Sequence, residues 1–345
     1  MKAAIIGATG YGGAELIRLL HQHKYVEEFT LHSSSQSGVA ISESYPQLTN
    51  ITNQSLQSIN IEQISKNADV VFMATPSGIS TEITPAFIEN GVKVIDLSGD
   101  LRFKDPNVYE KWYKKTSAAN EVLEKAVYGL TELNREKVKN ASLIANPGCY
   151  PTATILGLYP LLKNIAVEAN SVIIDAKSGV SGAGRKASLG TSYCEVNENF
   201  KIYKVNEHQH IPEIEVALKT ANNQLGPIKF NTHLVPMTRG IMSTIYCQPL
   251  ASVSEKLLRN LYQQYYENDR FVRVRKEGEY PATKEVYGSN FCDIGITFDE
   301  RTGWITIVSV IDNLMKGAAG QAVQNLNVMH GIDEGTGLLG APIFP

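Results

Sequence analysis

The sequence has few cysteines, and the 4 that it has are far apart along 345 residues. They are Cys149, Cys194, Cys247 and Cys292, and none lies in a CxxC pair or at the Cys/His spacing of a zinc site. Disulfide frameworks and structural zinc sites need such closely spaced sets. We therefore expect a reduced, cytoplasmic protein without disulfides and without a bound metal.

The sequence also lacks a charge excess and long apolar runs. Its 32 Lys and Arg residues nearly balance 35 Asp and Glu residues, and the net charge is -3, so we expect no nucleic-acid partner. No apolar run approaches the ~20 residues that span a membrane. A strand pattern follows Met1 directly, so we expect no signal peptide. With 43% hydrophobic residues, the length predicts roughly two globular domains.

The chain opens with the pattern of a nucleotide-binding βαβ unit. An apolar strand over residues 3–6 is followed by a glycine-rich turn, and apolar residues at helical spacing continue over residues 14–20. Glycines let such a turn tighten and let a pyrophosphate approach the backbone, while the helix N-terminus supplies N–H donors. The alternative is an empty tight turn. The candidate cofactor contacts of the turn are Gly7, Thr9, Gly10, Tyr11, Gly12 and Gly13.

The residues after the second strand indicate which nicotinamide cofactor binds. The strand over residues 29–32 ends in Ser33 and Ser34, where an NAD-binding protein places an acidic residue for the ribose 2′-hydroxyl. Hydroxyls accept a 2′-phosphate that a carboxylate would repel, so the sequence favours NADP(H) over NAD(H). No Arg or Lys lies between Val26 and Ile61, however, so this phosphate would lack a local cationic partner.

Further strands, over residues 69–74 and 92–97, alternate with helical stretches. This alternation predicts a doubly wound, Rossmann-type parallel sheet whose ligand lies at the carboxyl ends of the strands. Ser77, Gly78 and Ser98 follow two of these strands and are candidate cofactor contacts, unless they merely form turns. We expect an NADP-binding domain over residues 1–147, joined by a C-terminal helix over residues 313–345 that places Asn313 near the nicotinamide.

The pattern of the second half of the sequence predicts an α+β domain over residues 148–312. Its sheet is expected to be mixed and largely antiparallel, because the strands lack regular crossover helices. We expect this domain to hold the catalytic and substrate-binding residues and the oligomer contacts. Its helices are expected over residues 211–223 and 254–266. Its strands are expected over residues 172–176, 230–235, 241–246, 290–294 and 304–308.

Cys149 lies where an apolar strand, residues 142–145, gives way to a helix whose first turn contains Pro151. Unpaired N–H groups and the helix dipole at such a terminus favour the thiolate over the thiol. A lone cysteine is otherwise a small buried hydrophobe. The position of Cys149 therefore makes it a candidate nucleophile.

Three more features contain candidate anion-binding or proton-transfer residues. A glycine-rich loop over residues 177–185 has the hydroxyls, amides and cations that hold a phosphate, and a flexible surface loop is the alternative. Arg239 lies between two strands, where it could clamp a carboxylate or simply be a surface residue. His208 and His210 precede a helix and could exchange protons, whereas no compact ligand set accompanies them for a metal. The loop's candidate anion contacts are Ser178, Ser181, Gly182 and Arg185.

Taken together, these motifs closely resemble those of the N-acetyl-gamma-glutamyl-phosphate reductases of arginine biosynthesis, nearly from end to end. The most specific are the octet NPGCYPTA (146–153) and the segment HLVPMTRG (233–240), which aspartate-semialdehyde dehydrogenases carry in different form. The other matching motifs are GATGYGG (7–13), DLSGDLR (96–102), YGL (128–130), SGVSGAGR (178–185) and HQHIPEI (208–214).

The resemblance implies an NADPH-dependent reduction of an acyl phosphate through a thioester on Cys149, with His210, or less favourably His208, as the acid/base. It also implies a homo-oligomer, a dimer or tetramer. The family often has Arg where Gln209 stands, so the substrate phosphate depends more on Arg102, Arg185 or Arg239. Asn146 joins the substrate-binding set, and Leu101 before Arg102 is a second, harmless departure.

Three other functions fit parts of the pattern. The first is an acyl-phosphate reductase for another dicarboxylate, such as aspartyl phosphate. The second is a catalytically silent NADP-binding sensor that retains the fold. The third is a cysteine hydrolase, which has no use for the N-terminal nucleotide turn.

Overall fold

The structure, a computed structural model, describes residues 1–344, and the chain forms two compact units. Unit 1 comprises Met1–Pro147 and Ala318–Leu339, and unit 2 comprises Gly148–Gly317 and residues 340–344. Within residues 1–344, no helix combines the length and the apolar composition that crossing a membrane requires.

Unit 1 contains a six-stranded sheet in the order β2-β1-β3-β4-β6-β5, and every pairing is parallel. This confirms the predicted doubly wound sheet. Ile6 pairs with both His32 and Met73, so the loops after the first three strands leave the same edge of the sheet. The strands are β1 Lys2–Ile6, β2 Glu28–His32, β3 Val70–Met73, β4 Lys93–Asp96, β5 Val127–Tyr128 and β6 Leu143–Ala145.

Helices cover the sheet of unit 1 and bury its apolar strands. The side chains of Ala4, Ile6, Val71 and Met73 belong to one core cluster with Phe87. The first seven helices of the chain are α1 Tyr11–His21, α2 Ile41–Ser44, α3 Ile61–Asn67, α4 Ile79–Glu89, α5 Pro106–Tyr113, α6 Asn120–Lys125 and α7 Thr131–Lys139.

Unit 2 contains a seven-stranded mixed sheet in the order β11-β12-β13-β10-β7-β9-β8. Only the β11–β12 and β7–β9 pairings are parallel, which confirms the predicted, largely antiparallel sheet. Its strands are β7 Ile173–Ser178, β8 Lys201–Tyr203, β9 Lys229–Leu234, β10 Ile241–Cys247, β11 Val272–Val274, β12 Cys292–Asp299 and β13 Trp304–Ile311. Its helices are α8 Cys149–Asn164, α9 Tyr193–Val196, α10 His210–Lys219 and α11 Glu255–Tyr265.

One face of this sheet packs against α8. Gly157 permits the close approach, because a Cβ there would lie 3.0 Å from Ile245 and 3.1 Å from Ser309. Ile245 and Ser309 are fully buried. Since side chains alternate along a strand, Thr244 and Val308, which pair across β10 and β13, point to the opposite face.

The predicted C-terminal helix over residues 313–345 is wrong in both length and start. A single π-helical turn, Met315–Ala319, precedes α12 Gly320–Met329. The helix ends before Gly331, which adopts a φ of 65° that L-residues rarely adopt. The part of the chain assigned to unit 1 begins at Ala318, whereas Asn313 belongs to unit 2.

Candidate functional site

In unit 1, the glycine-rich turn between β1 and α1 is tightly packed at two of its glycines. Gly7 has a φ of 89°, and a Cβ there would lie 2.3 Å from the Ala74 carbonyl oxygen. A Cβ at Gly13 would lie 2.5 Å from the Gly7 oxygen, whereas a Cβ at Gly12 would have nothing within 4 Å. The tight turn therefore depends on Gly7 and Gly13, and Gly12 leaves open space beside the first turn of α1.

Replacing Gly7 with alanine is expected to destabilise the protein by about 3 kcal/mol, since it combines a left-handed backbone with a clash against main chain. The matched control is Gly12→Ala, whose Cβ enters open space. We expect Gly12→Ala to keep its free energy of unfolding within about 0.5 kcal/mol. Urea denaturation measures both, and equal losses in the two variants would contradict the assigned geometry.

The other residues of this turn lie at the start of α1. Gly10 is the N-cap residue, and its amide donates to the Gly7 carbonyl oxygen at 3.1 Å. The Thr9 carbonyl oxygen accepts from the Tyr45 hydroxyl at 2.9 Å, which fixes the turn from the side. Tyr11 is the first helical residue and lies 36% exposed.

After β2, Ser33 is buried and Ser34 is exposed. The Ser33 hydroxyl accepts from the Ser35 amide at 3.4 Å. The preceding His32 ring contacts the Ser58 carbonyl oxygen, and burial lowers the pKa of His32. His32 thus stays neutral near pH 7.

The structure brings Ser77 and Ser98 together, since the Ser77 hydroxyl donates to the Ser98 carbonyl oxygen at 3.1 Å. Beside them lies Asp100, which the sequence analysis missed. Its buried carboxylate accepts from the Gly78 amide at 2.8 Å and the Ser80 amide at 3.1 Å. The Asp100 carboxylate thus satisfies amides at the N-terminus of α4.

A cation lies over the same loop. A Cβ on Gly78 would lie 3.5 Å from Cδ of Lys115, so the lysine stem crosses the glycine. Lys115 was also missed, because nothing in the sequence pattern links it to residues after β3. At the end of β4, the buried Asp96 accepts from the Ser98 amide and hydroxyl. Burial, and then the charge of Asp100, raise the pKa of Asp96 to about 6.

Arg102 and Asn146, two predicted substrate contacts, are joined in unit 1. The Arg102 Nε donates to the Asn146 carbonyl oxygen at 2.9 Å. The Asn146 side chain donates to the Ala318 carbonyl oxygen at 3.1 Å and accepts from Asn325 at 3.0 Å. Both ends of this amide are therefore engaged inside the unit, which supports a structural role.

In unit 2, Cys149 is the first residue of α8 and is half-buried. The Gly148 amide donates to the Oε1 atom of Glu213 at 2.8 Å, and Glu213 is buried in the first turn of α10. A Cβ on Gly317 would lie 2.8 Å from Cβ of Cys149, so only glycine fits against the cysteine. Two residues outside the predicted set, Glu213 and Gly317, thus fix the surroundings of the thiol.

The two histidines have different roles in the hydrogen-bond pattern. The His210 amide donates to Nδ1 of His208 at 3.2 Å, so neutral His208 carries its proton on Nε2. Burial, with a smaller effect of Lys204, lowers the pKa of His208 to about 3. Because the unfolded histidine titrates near 6.5, this burial weakens stability as pH falls from 6.5 towards 3. At neutral pH the imidazole of His208 is therefore uncharged.

Tyrosines that the sequence analysis missed surround these histidines. The ring of Tyr150 lies 5.4 Å from that of His208 and 6.0 Å from that of His210. Its hydroxyl lies 3.0 Å from the hydroxyl of Tyr203. Burial, and to a smaller extent the negative charge of a Cys149 thiolate, raise the pKa of Tyr203 to about 12. Both tyrosines therefore stay protonated.

Gln209, which replaces a cation in the motif, has a cation beside it. Its Oε1 atom accepts from Nζ of Lys204 at 2.7 Å. Lys204 adopts a left-handed φ of 47°. The Lys204 side chain thus lies beside Gln209.

The two predicted anion-binding loops lie against each other. The Gly179 amide donates to the Gly240 carbonyl oxygen at 2.9 Å, and the Ser181 amide donates to the Thr238 carbonyl oxygen at 3.1 Å. The loop is therefore a docked 3-10 turn, Val180–Ala183, rather than a mobile segment. Its buried side chains are Ser178 and Ser181, Gly182 and Arg185 are exposed, and Arg239 follows in the adjoining loop.

Within residues 1–344, no three His, Cys, Asp or Glu side chains are arranged to hold a metal ion. All 4 cysteines are free thiols.

Two family models match consecutive parts of the chain. Residues 2–141 match "Semialdehyde dehydrogenase, NAD binding domain", and residues 149–313 match "Semialdehyde dehydrogenase, dimerisation domain". Among curated proteins, an N-acetyl-gamma-glutamyl-phosphate reductase of Geobacillus sp. (strain WCH70) is 60% identical over 345 residues, 100% of both chains. The protein of the same name from Bacillus subtilis (strain 168) is 58% identical over the same coverage.

Solved structures share the fold at lower identity. Aspartate semialdehyde dehydrogenase II from Vibrio cholerae, complexed with ASA, has a TM-score of 0.72 at 18% identity, covering 96% of this chain and 98% of that one. Aspartate semialdehyde dehydrogenase with NADP from Candida albicans has a TM-score of 0.69 at 17% identity, covering 95% and 98%.

Proposed function

This chain belongs to the N-acetyl-gamma-glutamyl-phosphate reductases of the semialdehyde dehydrogenase family, and we propose that it reduces N-acetyl-gamma-glutamyl phosphate to N-acetylglutamate 5-semialdehyde with NADPH, releasing phosphate. The observation that carries the proposal is Cys149 at the first position of α8, next to a helix that begins with His210. Full-length identity of 60% to a reductase of this name favours the N-acetylglutamyl substrate over an aspartyl one.

Cys149 supplies the nucleophile. Its thiolate attacks the acyl carbon, the acyl–phosphate bond breaks, and phosphate leaves with the electron pair. A thioester accepts hydride far more readily than a carboxylate does, and NADPH supplies that hydride when bound. Collapse of the tetrahedral adduct then releases the semialdehyde and regenerates the thiolate.

His210 is the acid/base that we propose. We prefer His210 to His208 because burial lowers the pKa of His208 to about 3, which makes it a weak base, and because the Nδ1 atom of His208 accepts from the amide of the first residue of α10. The oxyanion of the adduct needs hydrogen-bond donors. Glu213 occupies the Gly148 amide, so we assign the donors to the Cys149 amide and the His210 imidazolium.

The cofactor is NADP(H), held in unit 1. The family model for residues 2–141 describes an NAD-binding domain, and the open space beside Gly12 suits a pyrophosphate. Ser33 and Ser34 offer hydroxyls for the 2′-phosphate, while Ser77, Gly78 and Ser98 line the next loops of the same sheet edge. Asn313 remains a proposed contact of the nicotinamide.

An assay of NADP⁺ reduction in the reverse direction tests which semialdehyde the protein accepts. We expect phosphate-dependent reduction of NADP⁺ with N-acetylglutamate 5-semialdehyde and a kcat/KM at least about 100-fold lower with aspartate semialdehyde, since a site built for polar groups rejects an analogue lacking them. A preference for aspartate semialdehyde would overturn the substrate assignment. No turnover with either compound would favour the silent sensor.

The protein is proposed to be a homo-oligomer that uses the open face of the seven-stranded sheet. Met242, Thr244, Tyr246 and Val308 are half-exposed on this face, opposite to α8. The matching family model for this unit describes a dimerisation domain. A second copy of the chain would cover these residues.

The protein is also proposed to be cytoplasmic, because its four free thiols fit a reducing compartment.

Replacing Val308 with glutamate is expected to shift the oligomer towards the monomer, because each copy would bury an unpaired carboxylate in the interface. The matched control is Val216→Glu, since Val216 lies 50% exposed on α10. Sedimentation velocity at several concentrations measures the distribution. A Val308→Glu protein that sediments as the wild type does would contradict this interface.

A further inference from the structure

Asp312, which directly follows β13, is fully buried and collects hydrogen bonds from three separate segments. Its carboxylate accepts from Nε of Arg239 at 3.2 Å and from Nη2 at 3.0 Å. It also accepts from the amides of Leu314 at 2.8 Å and Met315 at 3.0 Å. A fifth donor is the Gly288 amide, at 2.7 Å. A buried carboxylate with this many donors is held rigidly.

The main chain of Asp312 shapes the turn that reaches the nucleophile. Its carbonyl oxygen accepts from the Gly317 amide at 3.0 Å, five residues ahead, which is the hydrogen bond of a π-helical turn. This turn places Gly317 where a Cβ would lie 2.8 Å from Cβ and 3.2 Å from Cα of Cys149. The position of Asp312 thus governs how the chain packs on Cys149.

The guanidinium of Arg239 is held from a second side by the ring of Tyr287, whose centroid lies 5.6 Å away. Next to Asp312, Asn313 accepts from the Gly240 amide at 2.7 Å and donates to the Ser181 hydroxyl at 3.0 Å. The two anion-binding loops are therefore fastened to residues 312 and 313. An arginine tied to a buried carboxylate keeps its orientation and loses little freedom on binding an anion.

We propose that Asp312 is a positioning residue of the reductase: one buried carboxylate orients Arg239 towards the anionic substrate and sets the Met315–Ala319 turn that packs Gly317 against Cys149. The substrate half of this inference rests on the proposed function, whereas the packing half does not. Asp312 itself touches neither substrate nor thiol.

The first test is a double-mutant cycle on KM. Asp312→Asn and Arg239→Gln are each expected to raise the KM for the acyl substrate about 10-fold or more. If Asp312 acts through Arg239, Asp312→Asn adds less than about 2-fold to KM in the Arg239→Gln background. The positioning role would be overturned if the two substitutions raised KM independently, so that their fold-changes multiplied in the double variant. It would also be overturned if folded Asp312→Asn had an unchanged KM.

The second test uses no substrate. Iodoacetamide alkylation of Cys149, followed by peptide mass mapping, is expected to be about 3-fold faster in Asp312→Asn, because a loosened turn uncovers the thiol. The matched control is Asp293→Asn, which removes another fully buried aspartate paired with arginines, Arg273 and Arg275. A merely structural role predicts that both variants lose thermal stability and that neither changes KM or alkylation.

The KM measurement and the alkylation measurement distinguish a failure of the proposed function from a failure of the positioning role of Asp312. A wild type inactive on the acyl substrate refutes the proposed function, and alkylation still decides the turn. If Asp312→Asn does not fold, Asp312→Glu receives the same measurements, since it keeps the charge and displaces the carboxylate. An unchanged KM and an unchanged alkylation rate in Asp312→Glu would then overturn the proposal.

Discussion

Replacing Cys149 with alanine is expected to lower kcat by about 10⁴-fold or more, since removing a covalent nucleophile leaves only binding and electrostatic stabilisation. The affinity for NADPH is expected to change less than about 2-fold, because the proposed cofactor loop belongs to unit 1 and Cys149 to unit 2. Stopped-flow hydride transfer measures the first quantity and fluorescence titration the second.

The matched control is Cys247→Ala, which removes a fully buried thiol of β10 and tests whether any cysteine loss inactivates the protein. Burial raises the pKa of Cys247 to about 12, so this thiol stays protonated and unreactive. Cys247→Ala should lose stability and keep most of its kcat. Retained turnover in Cys149→Ala would remove the thioester from the mechanism.

Replacing His210 with asparagine is expected to lower kcat by about 10²- to 10⁴-fold, the range found when a general acid/base is lost. His208→Asn is the comparison. Its side-chain oxygen can still accept from the His210 amide, so kcat is expected to fall less than about 10-fold, with a larger loss of stability from the cavity near Tyr150 and Phe230.

The pH dependence tests the role of His208 further. Because burial lowers the pKa of His208 to about 3, its removal should leave the kcat profile between pH 6 and 9 unchanged in shape. Equal losses of kcat in the two variants, with both proteins folded, would contradict the assignment of His210.

The fold could be predicted largely from local patterns. Glycine spacing around Gly7 and period-two or helical apolar spacing are properties of neighbouring residues, and they indicated both sheets correctly. Two elements were not predicted correctly, because such spacing patterns describe only neighbouring residues. Val127–Tyr128, a strand of only two residues, has no period to detect, and the end of α12 depends on Gly331 rather than on an apolar repeat.

The sequence pattern indicates the candidate reactive residues but not the side chains that the structure places around them. Cys149 stands at a strand–helix junction that the sequence displays, and the histidines stand one turn or less from a helix start. Asp100, Lys115 and Glu213 gave no such signal, because a carboxylate or an ammonium in a sequence looks the same whether it caps a helix, crosses a glycine or faces solvent.

The sequence by itself determined the two domain types and the candidate nucleophile, because these depend on spacings within about a dozen residues. Only the tertiary structure decided the partners of those residues. Arg239 meets Asp312 from 73 positions away, and Glu213 reaches the Gly148 amide from 65 positions away. Such pairs form because buried charges and amides must be satisfied, and which distant group satisfies them is settled by how the sheets and helices pack.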